Sequence, residues 1–220
     1  MNSEEKKVKV KLKPKHWFYI FVLLLIAVFI TTLYLIPKIM PAKPKVQQVE
    51  YNYFKFTKAG PVWDTLVKYD GKLLQPSFRF LPTEVEDVPI KGKLNETFGE
   101  EVIYLTFDPL GNPREFQTLT IGVSEMGMNI VKGLEREIEA ACTINETKAC
   151  FNRSIVSCEN TEKSVIFFNP AGEPEVILDE KCIELRGSGF DLLKSVDRVL
   201  YAWYGILKKN TITPRVQPQN

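Results

Sequence analysis

The sequence predicts an α+β protein in which an N-terminal transmembrane helix precedes one extracytoplasmic domain with a mostly antiparallel sheet and two main helices. One apolar run, residues 17–40, is long enough to span a bilayer. Short segments of alternating apolar and polar residues, separated by turn residues, follow the run and are typical of strands. Two later segments change to the 3.6-residue period of an amphipathic helix.

The apolar run is typical of a membrane anchor. The segment from Phe18 to Ile36 has nineteen residues without a charge, and a helix of that length spans about 28 Å, close to the thickness of a bilayer core. Trp17 and Tyr34 stand near its ends, where aromatic rings favour the headgroup region. The run is longer than the core of a cleaved secretory signal, and no small-x-small site follows it. The sequence therefore predicts an uncleaved signal anchor in the lipid bilayer.

Charge predicts the orientation of this anchor in the cell membrane. Six lysines precede the run and three follow it within fifteen residues, and lysine accumulates on the cytoplasmic side of membrane proteins. Residues 1–45 carry a charge of +7 while the whole chain carries +2, which leaves −5 for the remainder. A cytoplasmic N-terminus and an acidic outer domain follow, and the acidic balance argues against a nucleic-acid partner. The predicted parts are a basic tail (1–16), the anchor (17–40), a linker (41–48), the domain (49–207) and a flexible tail (208–220).

The first third of the domain is predicted to be a strand meander. Asp70-Gly71 is a tight-turn pair between two of the strands. Pro76 should place the strand that contains it at a sheet edge or a bulge. The segment Leu81–Gly99 has no clear period and is predicted to be a long loop. The three predicted strands are Tyr51–Lys58, Val62–Tyr69 and Lys72–Phe80.

The remaining two thirds mix strands and helices. Phe116–Gly122 is compatible with a strand or with the start of a helix. A helix from Ser124 to about Cys142 is predicted, because apolar residues recur on one face from Ile130 to Ala141. A second helix, Phe190–Leu207, follows a Ser188/Asp191 capping pattern. The predicted strands are Glu101–Phe107, Ser164–Phe168, Glu175–Leu178 and Cys182–Leu185. A hairpin followed by a packed helix also closes the thioredoxin fold, which stays an alternative architecture although C-x-x-C is missing.

Four cysteines, all beyond the anchor, predict disulfides. Their spacing is C-x7-C-x7-C-x23-C, without the close ligand pairs of structural zinc sites. Three pairings are possible. We favour Cys142–Cys150, which closes a polar loop, and Cys158–Cys182, which ties that loop to a hairpin. Three N-x-S/T sequons in predicted surface loops make Asn95, Asn145 and Asn152 candidates for glycosylation, or simply polar loop residues.

Histidine usage excludes several chemistries. His16 is the single histidine and precedes the anchor, so the domain has no Ser-His-Asp or Cys-His catalytic set and no histidine-ligated metal. No phosphate loop or calcium-loop spacing is present, and we expect neither a cofactor nor a metal.

Two groups of polar or aromatic residues remain as candidate sites. Carboxylates alone can serve a glycosidase, although solvated loop charges are the simpler interpretation. The candidates are Glu84, Glu86, Asp87 and Asp108. An aromatic strand can offer a platform for a sugar or a partner, although alternating aromatic residues are more often core. Its residues are Tyr51, Tyr53, Phe54 and Phe56.

The tracts TFDPLGNP, VEDVPI and Asp197–Ile206, together with the cysteine-rich loop, resemble uncharacterised single-pass membrane proteins encoded by archaea. The resemblance implies an archaeal cell surface and no known activity or site. The sequence thus predicts a membrane-tethered interaction or structural module of the cell envelope, with another envelope protein or a glycan as partner. A carboxylate-dependent enzyme acting on envelope glycans and a thiol-redox protein of thioredoxin type are the alternatives.

Overall fold

The apolar run forms helix α1 (Pro14–Ile39). In the computed structural model, residues 14–39, 46–99, 102–159 and 162–207 are described, and the chain divides into two compact units, Met1–Lys45 and Val46–Asn220. Within α1, Trp17–Leu35 is long and apolar enough to cross a membrane. The hydroxyls of Thr31 and Thr32 both donate to the Val28 carbonyl at 2.9 Å, which satisfies them without water. The predicted N-terminal tail before Pro14, linker residues 41–45 and the C-terminal tail lie outside the described residues.

The second unit begins with the expected antiparallel meander. A four-stranded sheet has the order β1-β2-β3-β6, with every pairing antiparallel. The β4–β5 hairpin stands apart and turns at Asp70-Gly71, where φ is positive at both residues, as a type I′ turn requires. The third predicted strand breaks at Pro76, which lacks the N–H for a continuous ladder. The strands are β1 (Gln48–Tyr51), β2 (Phe54–Ala59), β3 (Val62–Asp64), β4 (Val67–Tyr69), β5 (Lys72–Leu74) and β6 (Ser77–Phe78).

The predicted long loop over Leu81–Gly99 is wrong. It contains a short helix, α2 (Pro82–Val85), and strand β7 (Ile90–Leu94). Strand β7 is the edge of a large sheet, and its three central residues, Lys91 to Lys93, are exposed. An edge strand without a buried face has no apolar alternation for a sequence pattern to detect.

The large sheet has seven strands in the order β10-β9-β8-β11-β13-β12-β7. Only β12 and β13 pair antiparallel, and the other five pairings are parallel. The expected antiparallel pairing therefore describes the two small sheets and one hairpin, and the α+β class is confirmed. Strand β13 inserts between β11 and β12, so these two strands, which follow each other in the chain, are not paired. The added strands are β8 (Ile103–Phe107), β9 (Ile138–Cys142), β10 (Ser154–Ile155), β11 (Ser164–Asn169), β12 (Glu175–Glu180) and β13 (Cys182–Arg186).

Helix α3 (Phe116–Asn129) starts before the predicted helix and continues as one π-helical turn, Ile130–Leu134. The predicted extension to Cys142 is wrong, because Glu135 adopts a left-handed conformation (φ 54°, ψ 43°) that ends the helix. The apolar residues that follow belong to strand β9. Sequence period alone could not separate the two, since Ile138 fits both a helical stripe and a strand.

Helix α4 (Asp191–Trp203) lies in the centre of the domain. It packs on β12 and β13 of the large sheet and on α3. On another side, the ring of Tyr201 stacks on Phe78 of the small sheet, with ring centroids 4.0 Å apart. The predicted capping box at Ser188 is wrong: no side chain caps α4, and the Ser188 carbonyl accepts the Asp191 N–H at 3.2 Å.

The structure joins Cys142 to Cys150 and Cys158 to Cys182, and no described cysteine is free. These are the pairings favoured from the spacing. The first bridge connects the end of β9 to the following polar loop, and the second ties the segment before β11 to the start of β13. The hairpin and α4 are therefore covalently linked to the loop region.

Loss of each bridge should destabilise the domain, and the two losses should differ in size. Sequence separations of 8 and 24 residues correspond to about 2.6 and about 3.5 kcal/mol of loop-closure entropy. We expect Cys142→Ser/Cys150→Ser to cost less than Cys158→Ser/Cys182→Ser, as measured by guanidinium unfolding of the full chain in detergent micelles with tryptophan fluorescence. Equal costs, or the reverse order, would contradict an entropic origin.

Candidate functional site

Of the four carboxylates singled out from the sequence, three accept hydrogen bonds that stabilise the fold and one is exposed. Glu84 accepts the Leu81 N–H at 2.7 Å and caps α2, and Glu86 accepts the Tyr51 hydroxyl at 2.8 Å. Asp108 accepts the Leu110 N–H at 2.8 Å within its own turn, and Asp87 is exposed. None of the four lines the groove described below. The expected acidic site is therefore not assembled there.

The aromatic strand is mostly core. Phe56 is fully buried, and Tyr51 and Phe54 pack against the core while partly exposed. Tyr53 alone is fully exposed, at the β1–β2 turn. Phe56 and the other three therefore do not share one exposed face, and a platform of all four is not formed.

A buried carboxyl that sequence reasoning missed connects distant elements. Asp197 of α4 is fully buried, and its Oδ2 accepts the backbone N–H groups of Arg79 and Phe80 at 2.8 and 2.9 Å. Burial, and secondarily the charge of Glu125, raises the pKa of Asp197 well above its usual value. Its Oδ1 is buried and has no partner among the described residues. The sequence signal that could have identified Asp197 was its position, a carboxyl on the inward side of an apolar helix.

The polar side chains of the Asp197–Ile206 tract hold α4 to its neighbours. The Tyr201 hydroxyl donates to the Phe80 carbonyl at 2.6 Å, and Arg198 Nε donates to the Val88 carbonyl at 3.3 Å. The Tyr204 hydroxyl donates to Asn129 Oδ1 of α3 at 2.6 Å. The Asp197–Ile206 tract therefore links α4 to α3 and to the segment 79–88 through side-chain hydrogen bonds.

Beside Asp197 lies a groove with a cavity volume of about 520 Å³. One wall is the segment 73–77 together with Val62, and the other is the end of α3 with its π turn. The lining also includes Arg79, Glu125 and Tyr204, and the Tyr204 hydroxyl donates to Asn129 Oδ1 in the same lining. We call this site the Arg79–Glu125 groove.

The ion pair in the groove is only partly satisfied. Arg79 Nε donates to Glu125 Oε1 at 2.5 Å, and the side chain of Glu125 is 12% exposed. Glu125 Oε2 is buried and has no hydrogen-bond donor among the described residues. Burial raises the pKa of the Glu125 carboxyl, although the hydrogen bond and charge of Arg79 oppose this shift. A buried carboxylate oxygen without a donor is costly, and its burial is consistent with the raised pKa of this carboxyl.

Gly133 makes room for the Tyr204 hydroxyl in the groove. A Cβ at this position would overlap the Tyr204 hydroxyl, so only glycine lets this hydroxyl lie against the π turn and reach Asn129. The described residues contain no group of three or more histidine, cysteine or acidic side chains that could hold a metal. The groove can therefore act through hydrogen bonds, the ion pair and its apolar walls.

The three sequons lie on the surface, with Asn95, Asn145 and Asn152 exposed. Asn95 Oδ1 accepts both the N–H of Thr97 at 3.1 Å and its hydroxyl at 3.2 Å. All three side chains are accessible to a modifying enzyme.

Comparison of the chain with models of protein families, with curated proteins and with solved structures finds no match.

Proposed function

We propose that the protein is a membrane-tethered binding module of the cell envelope, in which the Arg79–Glu125 groove contacts another envelope protein or a glycan. The long apolar helix supports the tether, and two disulfides fit an oxidising, extracytoplasmic compartment. The lysine excess before the helix supports an N-terminus in the cytoplasm and a domain outside it.

One observation carries this proposal. The lining of the groove combines the exposed apolar side chains of Leu73 and Met128 with the Arg79–Glu125 ion pair. Pockets that bind ligands typically have mostly apolar walls and a few polar groups that fix orientation. Outside the groove, buried atoms of Arg136, Asp197 and Arg198 also lack a hydrogen-bond partner among the described residues. The groove supports the proposal through its combination of apolar and charged lining groups.

A carboxylate-dependent enzyme is the second candidate, because the raised pKa of Glu125 suits a general acid. A glycosidase needs two carboxyl groups at the substrate. Glu125 is the one carboxyl among the groove's described lining residues, and Asp197 is fully buried outside that lining. Binding is thus better supported than hydrolysis. The pairing of all four cysteines gives the thiol-redox alternative no free thiolate.

Photo-crosslinking in cells tests the proposed binding surface. With p-benzoylphenylalanine in place of Met128, which is 55% exposed at the groove, we expect a defined adduct. Leu73→Glu on the facing wall should abolish it, because a charge would replace an apolar contact. The same photoreactive residue in place of Phe151, also exposed but outside the groove, is the control.

The proposal fails if Met128 and Phe151 give the same adducts, or if Leu73→Glu leaves the Met128 adduct unchanged. Protease added to intact cells tests the orientation separately, because an outer domain should be digested without lysis. Digestion only after cell lysis would contradict an outer domain.

A further inference from the structure

We propose that Asn95 is the residue of this protein that carries an N-linked glycan, and that the folded domain disfavours modification of Asn145 and Asn152. All three asparagines match the N-x-S/T pattern, so the sequence does not rank them. The hydrogen bonds of the hydroxyl two residues after each asparagine do rank them. This inference rests on the extracytoplasmic location proposed above and is independent of the Arg79–Glu125 groove.

The hydroxyl of the third sequon residue is the group to compare, because the pattern accepts only serine or threonine at that position. The hydroxyl is the polar group that these two side chains share, so an enzyme that reads the pattern must contact it. A hydroxyl that is bonded to another part of the fold must first give up that bond. Modification of the folded domain should therefore favour the sequon whose hydroxyl bonds within the sequon itself.

The hydroxyl of the Asn95 sequon makes such an internal bond. Thr97 Oγ1 donates to Asn95 Oδ1 at 3.2 Å, and the Thr97 N–H donates to the same oxygen at 3.1 Å. Asn95, Glu96 and Thr97 are all exposed, and the Phe98 N–H donates to the Asn95 carbonyl at 3.1 Å. The sequon is thus an exposed turn directly after β7, and an enzyme can engage its hydroxyl at the cost of a bond within that turn.

The hydroxyls of the other two sequons bond to other parts of the fold. Thr147 Oγ1 donates to Cys150 Sγ at 3.4 Å, and Cys150 is held by its disulfide to Cys142. Ser154 Oγ donates to Glu139 Oε1, and Ser154 belongs to edge strand β10, which pairs with β9. Both hydroxyl-bearing residues are half-buried. Recognition of either sequon would therefore break a bond of the folded domain.

A polar cavity beside Asn95 has room for the first sugar of a glycan. Asn95 lines a cavity of about 470 Å³, a volume within the range of about 300–1,000 Å³ in which proteins hold small ligands. Carboxylates in its lining can accept hydrogen bonds from sugar hydroxyls. The charged residues of the lining are Glu159, Glu162, Asp179, Glu180 and Lys181.

The modification is a glycosyl transfer from a lipid-linked glycosyl phosphate. The Asn95 Nδ2 atom forms a bond to the anomeric carbon of the sugar, and the bond from that carbon to the phosphate oxygen breaks. The oxygen keeps the bonding electrons and leaves with the lipid phosphate. One Nδ2 proton passes to a base of the transferase, and the other stays on the amide nitrogen. The step needs no oxidant or reductant.

Mass spectrometry of the full chain, purified in detergent from the organism that encodes it, tests the proposal. After the disulfides are reduced, trypsin cleaves beside lysine and arginine and releases the three sequons on separate peptides, 94–114, 137–148 and 149–153. Electron-transfer fragmentation assigns the sugar mass to one residue. We expect a glycan on Asn95, with an occupancy at least about fivefold above that of Asn145 or Asn152, the effect of one side-chain hydrogen bond.

Three variants test the role of the hydroxyl groups. Thr97→Ala should remove the glycan from peptide 94–114, and Thr97→Ser, which keeps the hydroxyl, should retain it. Glu139→Ala, at an exposed residue, releases the Ser154 hydroxyl from its partner. This variant should raise the occupancy of Asn152 about fivefold and leave that of Asn95 unchanged.

The possible failures separate this inference from the proposed location. If all three peptides lack a glycan while protease added to intact cells digests the domain, the modification is rejected and the outer location stands. Digestion only after lysis would reject both. Equal occupancy of the three peptides, or no change of Asn152 in Glu139→Ala, would show that the hydroxyl bonds of the folded domain do not select the site. A glycan that persists in Thr97→Ala would show that this sequon does not direct the attachment.

Discussion

Replacement of Asp197 by alanine is expected to lower the free energy of unfolding by about 4 kcal/mol. The substitution leaves the N–H groups of Arg79 and Phe80 without an acceptor in the core, and each unsatisfied buried group costs about 1–3 kcal/mol. It also opens a space beside Glu125. Guanidinium unfolding of the full chain in detergent micelles, followed by tryptophan fluorescence, measures the change.

Asp197→Asn is the matched control, since its carbonyl oxygen can still accept both N–H groups. The pH dependence of the two proteins should differ. The pKa of Asp197 is raised in the folded protein, so folding takes up a proton once the pH exceeds the ordinary value of about 3.9. The contribution of Asp197 to stability is therefore complete below that value and declines as the pH rises through the folded-state pKa.

Relative to Asp197→Asn, the native protein should thus lose stability as the pH rises above about 4. A difference between the two proteins that stays constant over this range would contradict a buried, proton-binding Asp197. If Asp197→Ala lowers the free energy of unfolding no more than Asp197→Asn does, the hydrogen bonds from the Arg79 and Phe80 N–H groups contribute little to stability.

Local patterns predicted the elements whose signals are local. Helix α1 follows from an uninterrupted apolar run, and the meander follows from alternation and from the Asp70-Gly71 turn. Helix α4 follows from a stripe of apolar residues at helical spacing. The large sheet has no such signal, because strand order depends on which strands pair across the chain. Strand β13 is adjacent in sequence to β12 yet also pairs parallel to β11.

The groove could not be predicted for the same reason. Arg79 and Glu125 are 46 residues apart, and Arg79 and Asp197 are 118 residues apart. Each looks like an ordinary surface charge until the fold buries it. Glu84 lies in a cluster of acidic residues, and Asp108 directly follows a strand. These are positions where helix caps and turns use a carboxylate.

Replacement of Gly187 by alanine is expected to cost about 4 kcal/mol or to abolish the cooperative unfolding transition. Gly187 lies between β13 and α4 with φ +152°, and a Cβ there would overlap the backbone of Asp191 and Leu192 in the first turn of α4. Backbone atoms cannot move aside as a side chain can. The overlap could be removed only by moving the start of α4. This helix also contains Asp197 and Tyr201, whose hydrogen bonds join it to its neighbours.

Gly189→Ala provides the control two residues away. Gly189 also has a positive φ, +55°, but a Cβ there meets nothing within 4 Å. Only the backbone strain of a left-handed alanine applies, about 1 kcal/mol. Equal unfolding midpoints for the two variants in the same guanidinium titration would mean that backbone conformation alone sets the cost. A much lower midpoint for Gly187→Ala would show that the position of α4 depends on the close approach of its first turn to Gly187.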